Sequence, residues 1–261
     1  SVNTYGPIHF FAQSMMLTLG EPTIANSKLI TLSASSLAIL LFGIHIWRRY
    51  GYLLMSIAIV LLAAILLRQA PTSFSVRPDT LILFIVTVAL VVKDFDQDGR
   101  YGPVLLVAVC IGIAVNLKIY APVFFFPMLI SLMLKRETWF ERIRLCMLIG
   151  IVAAIIAALP FFFSNISVIT YLKTTYELVA VRERSFDVIL PLAKSLSVYL
   201  SPVVFLLLFT SNVSSIAGRQ NLVYFMSLLL VSFALMYSAS MPGAGQNHFV
   251  PIAPIVADLY V

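Results

Sequence analysis

Residues 29–67 read LITLSASSLAILLFGIHIWRRYGYLLMSIAIVLLAAILL, and this stretch decides the fold class. Its first apolar run, about Leu29 to Trp47, approaches the roughly 20 residues that a helix needs to cross a hydrocarbon core of about 30 Å. The run stops at Trp47-Arg48-Arg49, an aromatic and basic anchor suited to the headgroup level. A second run, about Tyr52 to Leu67, returns toward the starting side. Inside lipid the backbone must bond to itself, so apolar runs of this length are helices. Working outward, further spans are expected at about Asp79–Val92, Val104–Leu117, Val123–Leu134, Leu145–Phe163, Val188–Thr210 (broken by Pro191 and Pro202) and Leu222–Tyr237. An apolar stretch opens again at Pro251, and Tyr5–Leu19 is apolar but short, starting on Gly6-Pro7. That last segment reads as a helix at the interface rather than a full crossing. The expected fold class is all-α, a polytopic integral membrane protein.

Composition agrees. Hydrophobic residues make up 61% of the 261 residues and charged residues 11%, with a mean hydropathy of +1.02. This length accommodates one transmembrane domain, 1–261, and no large soluble domain. The chain opens at Ser1 with no basic, apolar-cored signal peptide. Its final residues resemble the opening turns of another span, so the expectation is a fragment incomplete at both ends. Cys110 and Cys146 lie inside apolar runs and are expected to be buried small hydrophobes. The net charge of +6 suits anionic headgroups. No basic, aromatic-interleaved stretch points to nucleic acid.

Alternating the spans gathers Arg48, Arg49, Lys93, Arg100, Lys135, Arg136, Arg142, Arg144 and Arg219 on one side, nine of the 17 basic residues. The positive-inside rule makes that side cytoplasmic. Lys28, Arg68, Arg77, Lys118, Lys173, Arg182, Arg184 and Lys194 fall on or near the other side. So basic an outer face calls for either the opposite topology or an anionic ligand there, and the ligand is favoured. Neither an internal repeat nor an inverted pair of broken helices is visible, which weighs against a transporter.

Four short motifs occur in order. Tyr5-Gly6-Pro7-Ile8-His9-Phe10-Phe11 stands at the start, and Arg77-Pro78-Asp79 opens an apolar helix. Gly112-Ile113-Ala114-Val115-Asn116-Leu117-Lys118-Ile119-Tyr120-Ala121-Pro122 closes a span, and Gly243-Ala244-Gly245-Gln246-Asn247-His248-Phe249-Val250-Pro251 leads into a late one. As an ordered set they resemble the polyprenyl-phosphate-dependent glycosyltransferases of the GT-C class, similar to the protein O-mannosyltransferases and the aminoarabinose transferase of lipid A.

The resemblance implies a GT-C-like helical bundle in the plasma (inner) membrane, part of the cell-envelope machinery. Its donor would be a polyprenyl-phosphate sugar, and its acceptor a hydroxyl on a glycan, lipid or protein at the outer face, with membrane lipids around it. Direct displacement with inversion is implied, and so is a general base on the first outer loop, usually in an Asp-Glu pair. That loop is expected upstream of Ser1, so no catalytic residue is named. No cofactor is expected, and a divalent metal stays open because family members differ.

The residues themselves point to substrate binding. Arg77 and Lys118 stand at outer ends of separate spans, where long basic side chains reach a phosphate while their stems stay in apolar surroundings. Arg182 and Arg184, in a long outer loop, are placed to close over it. Cations there would also stabilise a departing phosphate. Interfacial snorkelling or local ion pairing explains the same residues without a ligand. Asp79 fits an acceptor-side carboxylate or a first-turn acid that complements the helix dipole, and the dipole role is favoured. His248, Tyr5 and His9 fit the lining of the same pocket, with interfacial anchoring the plainer alternative.

Asp94-x-Asp96-x-Asp98-Gly99 imitates the opening of a calcium loop, but Leu105 stands where the bidentate Glu belongs, so a solvated acidic turn is expected. Asn165-Ile166-Ser167 and Asn212-Val213-Ser214 fit the N-glycosylation pattern, which is common by chance. The rival classes are a transporter or lipid flippase, hinted at by Lys194 beside Pro191 and Pro202, and a non-catalytic membrane subunit.

Overall fold

The computed structural model of the chain describes residues 5–19, 23–68, 77–95, 101–163, 167–181, 187, 189–197, 200, 219–240 and 246–258. Among these the regular structure is all helical, and no strand occurs. The order is α1 (Pro7–Leu19), α2 (Ile24–Tyr50), α3 (Tyr52–Arg68), α4 (Asp79–Lys93) and α5 (Tyr101–Leu117). A 3-10 turn (Ala121–Phe125) runs into α6 (Phe126–Leu134), followed by α7 (Trp139–Phe162) and α8 (Val168–Val181). Residues 189–197 are helical. Then come α9 (Arg219–Ala239), a 3-10 segment (Gln246–Ile252) and α10 (Ala253–Asp258). Among the described residues three helical stretches, Lys28–Tyr50, Trp139–Phe162 and Leu222–Ala239, are long and apolar enough to cross a membrane.

Helix boundaries follow capping chemistry more closely than hydropathy. The Thr23 side chain accepts from the Asn26 N–H at the start of α2, and Gly51 ends that helix at φ +85°, a left-handed conformation that glycine adopts without Cβ strain. α7 starts at a capping box in which Thr138 and Glu141 satisfy each other's backbone N–H. It therefore begins at Trp139, inside the charged loop expected over Lys135–Arg144. Arg142 lies over the Trp139 ring and Arg144 over Tyr101. The polar segment expected from Ser164 to Asp187 contains the helix α8.

Packing centres on α4, whose Ile82, Leu83, Val86, Ala89 and Leu90 are fully buried between α2, α5, the Gln246–Ile252 segment and α10. α5 packs most extensively on α7. Gly112 permits this, because a Cβ there would sit 2.6 Å from the Ile156 Cβ and 2.7 Å from the Ala153 carbonyl oxygen. Leu40, Val60, Ile155 and Phe162 project outward, as lipid-facing side chains do. Cys110 is buried as expected, but Cys146 is exposed, its Sγ 3.6 Å from Met133 Sδ. An apolar run on an outward face is covered by lipid rather than protein, which the expectation of burial overlooked.

The alternation gives the bundle two polar ends. α4 runs from Asp79 at one to Lys93 at the other, about 21 Å at 1.5 Å per residue. Arg49 and Lys135 lie at the Lys93 end, in contact with Asp94 and Lys93.

Candidate functional site

The Asp79 end holds an ion pair sealed inside the protein. Lys118, just past the last residue of α5, donates from Nζ to Asp79 Oδ1 at 2.6 Å, and the two side chains are 6% and 1% exposed. Asp79 is the first residue of α4, and Pro78 before it makes no side-chain cap. The carboxylate therefore sits in the first turn, where the dipole favours it, and also carries the partner of a buried ammonium.

Aromatic rings flank the pair on two sides. Lys118 Nζ lies 5.7 Å from the Tyr5 ring centroid and 5.4 Å from that of Tyr120, within range of cation–π attraction. Behind Tyr5 stands His9, with ring centroids 5.0 Å apart and edge-on. Against Tyr120 stands His248, stacked at 4.9 Å, with the Tyr120 hydroxyl 3.2 Å from His248 Nε2. The row His9, Tyr5, Lys118, Tyr120, His248 draws on α1, the α5–α6 link and the Gln246–Ile252 segment. Both histidines are buried, and the Nδ1 atom of each has no hydrogen-bond partner. Buried polar atoms are nearly always paired, and the Nδ1 atoms of both histidines are left to donate or accept beside the ion pair.

The local sequence explains how α1 reaches the site. Gly6 passes so close to α5 that an added Cβ would stand 1.9 Å from the Asn116 carbonyl oxygen. Asn116 then joins three elements: its Oδ1 accepts from the Ile8 N–H at 3.0 Å, and its Nδ2 donates to the Ala157 carbonyl at 2.8 Å. His9, on α1, has its pKa pushed down to about 4, first by burial and next by the Lys118 charge, with Asp79 partly opposing. The Tyr120 hydroxyl is pushed well above its ordinary value by burial, then by Asp79 and Tyr5, against a smaller opposing effect of Arg77.

Of the residues singled out in the sequence, Tyr5, His9, Asp79, Lys118 and His248 come together. Arg77 is partly exposed at their margin, close enough for its charge to act on Tyr120. Arg182 and Arg184 lie outside the described residues. Tyr120 and Asn116 were part of a quoted motif but had been given no role. Tyr120 follows Lys118 by two positions in a tight link, a signal that was available. Among the described residues no group of three His, Cys, Asp or Glu is arranged to hold a metal.

The expected acidic turn needs correcting. Asp94 is not a solvated acid: it accepts from Arg49 Nη1 at 2.5 Å, and its Oδ2 lies 3.1 Å from His45 Nε2. Asp96 and Asp98 fall outside the described residues. Lys194 is exposed on its short helix rather than set within the bundle.

Among solved structures, ArnT from Cupriavidus metallidurans, in its apo state, matches this chain with a TM-score of 0.69. The two share a fold. Identity is 15%, and the match covers 98% of this chain and 48% of ArnT, so the chain spans about half the length of that structure. The helical, multi-pass membrane architecture read from residues 29–67 is thus that of ArnT. No protein-family model and no curated protein matches the sequence.

Proposed function

We propose that the chain is part of a membrane glycosyltransferase that moves a sugar from a polyprenyl-phosphate donor to an acceptor hydroxyl at the outer face. The buried Lys118–Asp79 pair, walled by Tyr5 and Tyr120 and flanked by two histidines with unpaired Nδ1 atoms, carries this reading. The ArnT fold and the ordered motifs, which resemble the aminoarabinose and O-mannosyl transferases, support it. Lys118 and Arg77 supply positive charge for the donor phosphate at the membrane surface, and His9 and His248 supply hydrogen bonds for sugar hydroxyls.

In the transfer, the acceptor oxygen attacks the anomeric carbon while the bond from that carbon to the phosphate oxygen breaks. The donor phosphodiester already carries one negative charge; a second grows on the departing phosphate as the bond breaks, and a preorganised ammonium stabilises this more highly charged group more than the singly charged ground state. Asp79 orients Lys118 in advance, so little reorganisation is needed. The acceptor proton passes to a general base, which we assign to none of the described residues.

The test is reconstitution of the purified protein in vesicles with radiolabelled polyprenyl-phosphate sugars, scoring donor binding. Binding that disappears in Lys118→Ala and Arg77→Ala variants of unchanged helical content is expected. Full binding in both variants would remove these residues from the site. A transporter instead predicts vesicle uptake of the intact donor without cleavage.

A further inference from the structure

The Lys93 end carries a second buried charge network that the proposed chemistry does not use. Asp258, in α10, places Oδ2 3.5 Å from Lys93 Nζ and Oδ1 3.9 Å from His45 Nε2. Lys93 and His45 are 8% and 6% exposed at their side chains. Lys93 also lies over the Tyr224 ring of α9 at 4.8 Å, and Lys135 donates to its carbonyl at 3.4 Å. Four helices (α2, α4, α9 and α10) thus meet at one charged knot.

What lies between the knot and the Asp79 end is apolar. Phe249, Val250, Ile252, Ala253, Ile255, Val256 and Ala257 are all fully buried. Dispersion contacts, about 0.1–0.2 kcal/mol per atom pair, add up over these side chains to hold such a rod in its groove. The Lys93–Asp258 ion pair adds a buried charge contact at one fixed point, and sliding the rod away from it leaves two charges separated in a low-dielectric interior. One end of this rod is His248, against Tyr120; the other is Asp258, against Lys93.

We infer that Asp258 is a positioning residue: paired with Lys93 at one end of the bundle, it fixes the axial register of residues 246–258 and thereby seats His248 against Tyr120 at the other. This rests on the glycosyltransferase reading only for its consequence in catalysis. The register itself is testable without any activity.

The experiment is carbethoxylation of histidines in the purified full chain, with each site followed by peptide mass spectrometry. Wild-type His248 and His9 are both expected to react slowly. In Asp258→Asn the His248 rate should rise roughly tenfold, within the range of couplings between distant sites, while His9 stays protected. Because Asp258→Asn strands the Lys93 charge, a second variant, Lys93→Met with Asp258→Leu, removes the knot without an unpaired ion. It should expose His248 in the same way. His248 protected as in the wild type in either folded variant overturns the inference. So does equal exposure of His9 and His248, which would mean that the knot holds the whole fold rather than this segment. Binding of a polyprenyl-phosphate sugar is scored separately: His248 exposed in the variants of a protein that binds no such donor defeats the glycosyltransferase reading and leaves this one standing. Donor binding with unmoved protection does the reverse.

Discussion

Lys118 and Asp79 lie 39 residues apart in sequence and meet at 2.6 Å, with almost no solvent on either. Burial of two charges is costly, so their attraction has to offset the loss of hydration. Removing one partner is therefore worse than removing both.

That asymmetry separates structural from functional roles. Lys118→Ala removes the ammonium from the buried Asp79 carboxylate and should destabilise the protein by about 3–5 kcal/mol. A double variant, Asp79→Leu with Lys118→Met, should restore most of the thermal stability in detergent while donor binding stays abolished. Binding recovering together with stability would reduce the pair to a structural element.

Gly6→Ala tests the approach of α1. The added methyl meets the Asn116 carbonyl, so α1 must retreat, at about 1–3 kcal/mol as overpacked sites usually cost. The Ile8 N–H to Asn116 bond should be lost with it. Faster carbethoxylation of His9 with His248 unchanged is the expected footprint. A wild-type melting temperature and footprint would show that the segment is held by something other than this contact.

Tyr120→Phe removes the hydroxyl that meets His248 but keeps the ring over Lys118. The loss in stability should be small, about 0.5–1.5 kcal/mol for one hydrogen bond. Donor affinity should weaken, because His248 loses its orienting partner. Tyr120→Ala should cost far more of both, and similar values for the two variants would contradict a role for the ring.

His9 predicts a pH dependence. Its pKa in the fold is about 4, against an ordinary value of 6.5, so the unfolded chain takes up the proton first. Its contribution to stability is complete above about pH 6.5 and is lost as pH falls through that value toward 4. Melting temperatures of wild type and His9→Asn should run parallel from pH 7 to 8 and converge between pH 6.5 and 4. Parallel curves throughout would mean that His9 is not held neutral by its surroundings.

Much of the site was legible residue by residue. Lys118 and Asp79 declare themselves because charges at the ends of apolar runs are few, and Gly6 and His248 stand in short motifs. Their pairing was not legible, since nothing in a sequence states which two span ends become neighbours. Asp94 illustrates the failure: in an acidic run it reads as solvated, yet Arg49 and His45 from α2 cover it. Asp258 was passed over for the same reason. Its partner Lys93 is 165 positions away in the chain, and an isolated acid at the end of an apolar run carries no local sign of one.

The sequence by itself determined the lipid-embedded helical class and the placing of its apolar runs; the caps at Thr23, Gly51 and Thr138 are local chemistry too, but they lie outside the apolar runs by which the spans were bounded. Those depend on residue type and near neighbours: apolar length against the bilayer, backbone groups that must bond to themselves, and side chains within reach of a helix end. Only the tertiary structure decided that Asp79 would neutralise Lys118, that Asn116 would bind α1 to α7, and that Lys93 and Asp258 would anchor a rod with His248 at its far end. Each is a polar contact in a low-dielectric interior, where a missing partner is expensive. Packing geometry selects that partner, and local composition does not record it.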